Sequence, residues 1–167
     1  GMTGLADVAY NRGATTVIVL DNSITAMTGH QDHPGTGTTL MGETTTKLDY
    51  IKLAESMGIK DARRVDAYDM DAVKQAIKET TESDEPSFIV MQGPCALLDR
   101  KTWGTPMQVN AEECIACGLC LKLGCPAISK DEDGKAAISP IFCVGEVCSM
   151  CAQVCPKKCI APSAEKK

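Results

Sequence analysis

TTVIVLDNSITAMTGHQDHPGTG, residues 15–37, is the stretch of sequence that decides the fold of the first half of the chain. It begins with an apolar, β-branched run, which predicts a buried strand of a parallel sheet. It continues into small, polar and glycine residues that have neither the period of a helix nor the alternation of a strand. Ligands of open α/β sheets bind beyond the carboxyl ends of the strands. A ligand loop is therefore predicted here, although a polar loop with no special role fits the same residues.

Helices and strands are predicted to alternate from residue 1 to residue 93. Apolar residues at helical spacing indicate three helices: Leu5, Val8 and Ala9; Leu48, Ile51, Ala54 and Met57; Met70, Val73, Ile77 and Thr80. Gly13 and Gly58 are expected to end the first two helices, and Asp69 to cap the third. Two further strands are predicted, in RRVDAY and SFIVMQ. The order α-β-α-β-α-β predicts a parallel sheet with helical crossovers, part of a doubly wound α/β domain.

The pattern changes after residue 93. Residues 94–106 are predicted to be a linker, residues 107–160 a small cysteine-rich α+β domain, and residues 161–167 a solvated tail. The second domain has few apolar segments long enough to form a core without help from a bound group.

Ten cysteines are present, and only Cys95 precedes residue 114. The others form two motifs, Cys114-x2-Cys117-x2-Cys120-x4-Cys125-Pro126 and Cys143-x4-Cys148-x2-Cys151-x3-Cys155-Pro156, followed by Cys159. Two triplets, each followed by Cys-Pro, are typical of ferredoxins with two [4Fe–4S] clusters, in which the fourth cysteine of each motif ligates the other cluster. One predicted ligand set is therefore Cys114, Cys117, Cys120 and Cys155, and the other is Cys125, Cys143, Cys148 and Cys151.

Cys143 is the least regular ligand of the second set, because four residues rather than two separate it from Cys148. Cys159 is its substitute if Cys143 is not used. Structural zinc and disulfides remain as alternatives, but zinc rarely has three cysteines in seven residues, and disulfides suit secreted scaffolds.

Charge and hydropathy exclude several classes of partner. The formal charge is −5 and the pI is about 5.0, which argues against nucleic acid. No apolar run approaches the ~20 residues of a membrane helix. With no signal-peptide pattern, a cytoplasmic protein is expected.

The loop after the first strand contains oxygen donors suited to Mg²⁺ that carries a diphosphate, among them the Asn22 side chain. Both histidines of the chain, His30 and His33, also lie in this loop. They fit exposed loop residues as well as ligands or bases.

GMTGLADVAYNRGATTVIVLDNSITAMTGHQDHPGTG, residues 1–37, followed by the double cysteine motif, resembles the carboxyl-terminal part of the α subunit of indolepyruvate ferredoxin oxidoreductase. The resemblance covers nearly the whole chain. It implies a thiamine diphosphate-dependent oxidoreductase that decarboxylates arylpyruvates with coenzyme A and passes electrons to a soluble ferredoxin. It also implies a β subunit as partner.

The resemblance further implies roles for loop residues. Asn22 and the carbonyl of Ile24 match the Mg²⁺ ligands of the thiamine motif. Thr28, Gly29 and Gln31 match the loop near cofactor and substrate, and His30 is the candidate for proton handling.

One part of the thiamine motif is missing, because its opening Gly-Asp-Gly or Gly-Asp-Ser does not occur before Asn22. We therefore expect a fragment, a truncated product or one piece of a split subunit, inactive by itself. A stand-alone electron-transfer protein, or part of a related pyruvate or 2-oxoglutarate oxidoreductase, remains an alternative.

Overall fold

The computed structural model describes residues 1–98 and 103–164 and divides the chain into two compact units after Leu98. The division falls within the predicted linker, residues 94–106. The ends of that segment are fixed by backbone hydrogen bonds: the Cys95 amide donates to the Asn22 carbonyl (2.9 Å), and the Gly104 amide donates to the Val144 carbonyl (3.0 Å).

The first unit is a three-layer α/β fold. Its elements are α1 (Met2–Tyr10), β1 (Thr16–Asp21), α2 (Tyr50–Ser56), β2 (Asp61–Asp66), α3 (Met70–Thr81) and β3 (Ser87–Gln92). The strands are parallel in the order β1-β3-β2. This confirms the predicted fold class, a partial doubly wound parallel sheet.

Alternate residues of the central strand β3 supply two cores. Phe88 and Val90 pack with residues of α1 and α2 on one face, and Ile89 and Met91 pack with residues of β2 and α3 on the other. The sequence of a strand buried on both faces is a continuous apolar run, which explains why apolar and polar residues do not alternate in SFIVMQ.

Two sequence predictions in this unit are corrected. β1 is an outer strand of the described sheet rather than an inner one, and Leu20 on it is 77% exposed. The left-handed residue after α1 is Arg12 (φ +52°) rather than Gly13, whose amide instead donates to the Val8 carbonyl (3.0 Å). Asp69, in contrast, caps α3 as predicted, by accepting hydrogen bonds from the amides of Asp71 and Ala72.

The second unit contains little regular structure. β4 (Met107–Val109) pairs antiparallel with β7 (Ile160–Pro162), β5 (Ile128–Lys130) pairs antiparallel with β6 (Ala136–Ile138), and α4 spans Met150–Gln153. Two short 3-10 helices span Cys120–Leu123 and Gly145–Val147. The predicted tail therefore begins too early, because Ala161 and Pro162 belong to β7.

Cysteines form much of the interior of this unit. Its buried core contains Met107, Cys120, Ala127, Ala136, Cys143, Cys151, Cys159 and Ile160. Because thiols replace the large aliphatic side chains of an ordinary core, little apolar area stabilises this unit unless the thiols bind a common group.

Candidate functional site

A cavity of about 410 Å³ lies at the carboxyl end of β1. Its lining includes Asp21, Asn22, Ile24, His33 and Tyr50. It occupies the position where ligands of open α/β sheets bind, and its volume falls within the range of small-molecule sites.

Asp21 fixes the end of β1 beside β3. Its carboxylate accepts hydrogen bonds from the Ser23 amide (2.9 Å) and from Nε2 of Gln92 (3.3 Å), and it is 7% exposed. Asn22 next to it is exposed, and its Oδ1 accepts a hydrogen bond from the Ile24 amide (3.3 Å). The turn thus brings Asn22 and Ile24 together at the cavity.

Gly35 brings His33 and Tyr50 together. It is buried, and a Cβ there would overlap the Tyr50 hydroxyl and lie 2.8 Å from Cε1 of His33. The Gly35 amide donates to Nδ1 of His33 (3.0 Å), so Nε2 carries the proton of the neutral ring. Burial, followed by the negative charge of Asp21, raises the pKa of Tyr50.

The other predicted loop residues, at positions 28–31, lie in an exposed turn and are not among the residues that line the cavity, whereas Thr25, Ala26 and Met27 just before them are. Thr28 donates a hydrogen bond from Oγ1 to Oε1 of Gln31 (2.6 Å), while Gln31 donates from Nε2 to the Thr28 carbonyl. Gly29 (φ +114°) and His30 (φ +61°) complete the turn in left-handed conformations. Of the two histidines, therefore, His33 rather than His30 contacts the cavity.

Tyr50 was missed by sequence reasoning. In the sequence it appears as the first residue of α2, after the capping Asp49. Only the fold of the long loop, residues 22–49, brings it back to the end of β1, so no local pattern could have indicated it.

Five cysteines of the second unit line one cavity. They are Cys114, Cys117, Cys120, Cys155 and Cys159. Backbone amides of Ala136 and Ala116 lower the pKa of Cys114, whereas burial raises that of Cys120. Ala116 (φ +54°) and Gly118 (φ +71°) are left-handed, as in backbone nests that direct N–H groups at Fe–S clusters.

Cys155 and Cys159 are in direct contact, with their sulfur atoms 3.4 Å apart. Burial acts to raise the pKa of Cys155, but backbone N–H groups, that of Cys159 foremost, lower it overall. Burial and the hydrogen bond with Cys155 raise the pKa of Cys159 to about 11. The two sulfur atoms therefore share one hydrogen bond, in which either can be the donor.

The remaining cysteines of this unit form a second group: Cys125, Cys143, Cys148 and Cys151. Burial raises the pKa of Cys151 to about 11, and the negative charges of Cys143, Cys148 and Cys125 add to this effect. Burial also raises the pKa of Cys148. Four partly or fully buried thiols in mutual electrostatic contact are unfavourable as anions unless a cation compensates them.

The long spacer between Cys143 and Cys148 has a structural explanation. The Glu146 amide donates to the Thr105 carbonyl (3.0 Å), which packs the spacer against residues 104–105. Sγ of Cys143 accepts hydrogen bonds from the amides of Met107 and Gly145, each at 3.4 Å. Cys143 is thereby fixed in the second thiol group, whereas Cys159, its predicted substitute, lies in the first.

None of the ten cysteines, all of which lie among the described residues, forms a disulfide. No group of three or more Cys, His, Asp or Glu side chains within residues 1–98 and 103–164 converges on a single metal ion. Nor is any helix in these two ranges long and apolar enough to cross a membrane.

Comparison with known proteins identifies the class first. Residues 2–91 match the family model described as "Thiamine pyrophosphate enzyme, C-terminal TPP binding domain". The chain therefore belongs to the thiamine pyrophosphate enzyme family.

More particular similarity extends over both units. The chain is 39% identical to "Indolepyruvate oxidoreductase subunit IorA" of Pyrococcus horikoshii, over 93% of the chain and 25% of that protein. It is 40% identical to the protein of the same name from Pyrococcus abyssi, over 93% of the chain and 25% of that protein. The protein of the same name from Methanothermobacter marburgensis is 31% identical, over 99% of the chain and 26% of its own length. The predicted resemblance to this enzyme subunit is confirmed, and the chain spans about a quarter of the length of these relatives.

Proposed function

We propose that the chain is the thiamine diphosphate and iron–sulfur part of the α subunit of an indolepyruvate (arylpyruvate):ferredoxin oxidoreductase. The observation that carries the proposal is the presence, in one chain, of a thiamine pyrophosphate-binding domain and two separate groups of thiols. Two [4Fe–4S] clusters, thiamine diphosphate and Mg²⁺ are the proposed cofactors.

The thiol groups fit cubane clusters better than single ions. Each ligand of a [4Fe–4S] cluster binds a different iron, so the thiolates surround a volume instead of converging on one point. This matches the five cysteines that line one cavity of the second unit. Cys114, Cys117, Cys120 and Cys155 would hold one cluster, and Cys125, Cys143, Cys148 and Cys151 the other.

Asn22 and Ile24 would hold the Mg²⁺ of the cofactor. Oδ1 of Asn22 and the Ile24 carbonyl are hard oxygen ligands on adjacent parts of one turn at the cavity. Thiamine diphosphate, when bound, supplies the electron sink for decarboxylation. Thr28, Gly29 and Gln31 would shape the loop beside it, and His30 remains the proposed proton-handling residue, with His33 and Tyr50 on the cavity wall.

The proposed cofactors of the two units match the number of electrons that the reaction releases. Oxidative decarboxylation of a 2-oxoacid with coenzyme A yields an acyl-CoA, CO₂ and two electrons. Each cluster, when bound, would accept one electron at a time, and a soluble ferredoxin would remove the electrons.

Exposed apolar side chains support the need for partners. Leu20, Met27, Leu40 and Met41 are each at least 77% exposed, and all lie on β1 or on the loop that follows it. Apolar side chains exposed to this degree occur at protein interfaces. The proposed partners are the rest of the α subunit and the β subunit, with cytoplasmic assembly.

The test is anaerobic co-expression of the chain with the upstream α-subunit segment and the β subunit of a relative. Thiamine-dependent reduction of ferredoxin by indolepyruvate and coenzyme A is expected, with slower turnover of pyruvate and 2-oxoglutarate. A preparation that contains the clusters but never binds thiamine diphosphate would favour a stand-alone electron-transfer protein. Faster turnover of pyruvate or 2-oxoglutarate would place the chain in a related oxidoreductase.

A further inference from the structure

One group of cysteines contains more thiols than one cubane needs. Cys114, Cys117, Cys120, Cys155 and Cys159 line a single cavity, whereas a [4Fe–4S] cluster takes four thiolates. The second group, around Cys151, contains four. The chain thus has a spare thiol at one site and none at the other.

The spare thiol lies against a predicted ligand. The sulfur atoms of Cys155 and Cys159 are 3.4 Å apart, and both residues line the same cavity as Cys114. Cys159 is 6% exposed, so it faces the other thiols rather than solvent. Two sulfur atoms this close together can reach the same iron of a cluster. Each iron takes one cysteine ligand, so only one of the two sulfur atoms would be bound at a time.

We propose that Cys155 and Cys159 are interchangeable ligands of one iron of the first cluster. The inference rests on the proposed clusters and adds a ligand exchange to them. In the exchange, the bond between the iron and Cys155 would break and one to Cys159 would form, while the proton of Cys159 would pass to the released Cys155 thiolate. No electron is gained or lost.

The backbone between Cys155 and Cys159 keeps their two sulfur atoms close together. Lys158 between the two cysteines is left-handed (φ +52°), and its amide donates to the Cys155 carbonyl (3.1 Å), so a single tight turn connects them. Cys159 leads directly into β7, whose pairing with β4 anchors it. Either sulfur can therefore serve the same iron with small side-chain rotations.

The test counts iron in anaerobically reconstituted chains. The wild-type chain should contain about eight irons. Cys155→Ala and Cys159→Ala should each keep about eight, and the double variant should fall to about four. Cys151→Ala is the matched control, because its group has no spare thiol, and it should lose about four irons.

Cys155→Ser provides a second readout, because serine keeps the size of the side chain. A cluster that has moved to Cys159 keeps the Fe–S stretching bands of all-thiolate ligation in resonance Raman spectra. Loss of about four irons in either single alanine variant would overturn the proposal, as would oxygen ligation in the serine variant. A wild-type chain without iron would instead overturn the proposed function.

Discussion

Gly145→Ala tests whether the unusual spacer, residues 144–147, fixes Cys143. Gly145 is left-handed (φ +82°), and a Cβ there would lie 2.5 Å from backbone atoms of Gly104 and Thr105. A left-handed L-residue costs about 1–2 kcal/mol. Overpacking against a backbone that cannot rotate away adds about 1–3 kcal/mol. The expected loss is therefore about 2–5 kcal/mol of the free energy of unfolding, from a typical total of about 5–15 kcal/mol.

Gly134→Ala is the matched control in the same unit. Gly134 is also left-handed (φ +76°), but a Cβ there meets nothing within 4 Å. Only the conformational cost of about 1–2 kcal/mol should appear. Anaerobic urea denaturation, followed by far-ultraviolet circular dichroism, compares the two variants.

Iron content provides the second readout for the same pair of variants. If the spacer moves, Cys143 is displaced and the Gly145 variant should lose about four irons, while the Gly134 variant keeps about eight. Equal unfolding midpoints and equal iron contents in the two variants would refute the role given to the spacer.

Three further predictions concern the first unit. Gly35→Ala should lower the free energy of unfolding by about 1–3 kcal/mol, because its methyl group would overlap Tyr50 and His33. Thermal unfolding compares this variant with Gly13→Ala, whose methyl group would meet other atoms only at 3.7 Å or more. Equal stability of the two variants would contradict the close packing of Gly35 against Tyr50 and His33. Asp21→Asn should lower the pKa of Tyr50, because the carboxylate whose negative charge disfavours the phenolate is lost. Absorbance titration measures the pKa of Tyr50, and Tyr50→Phe identifies its signal. An unchanged pKa would show that burial alone raises the pKa of Tyr50. Glu79→Gln should destabilise the unit slightly at neutral pH, because the hydrogen bond from Arg63 lowers the pKa of Glu79. The stability that the ionised Glu79 contributes is present above its ordinary pKa of 4.5 and is lost as the pH falls through its lowered pKa in the folded chain. A difference in stability between the variant and the wild type that persists in more acidic solution would contradict this role of Glu79.

The parallel sheet was predictable because it depends on local patterns. Asp69 caps α3 through its own side chain, and Ile89 and Val90 lie in the apolar run of a strand that is buried on both faces. The position of β1 at the edge was not predictable. An apolar run indicates that a strand can be buried. Which neighbouring strands and helices cover that strand depends on the rest of the fold.

The candidate site was predictable only where residues near in sequence act together. Asn22 and Ile24 share one turn, and the first three cysteines of the first motif line one cavity. Tyr50 and the contact of Cys159 with Cys155 depend on how the loop and β7 fold back. No local pattern therefore assigns Cys159 to the first group.

Iron and acid-labile sulfide per chain, measured after anaerobic purification, test the central claim most directly. Two cubane clusters predict about eight irons and eight sulfides. A colourless chain that contains zinc and no iron would contradict the account, and so would a stable content of about four irons.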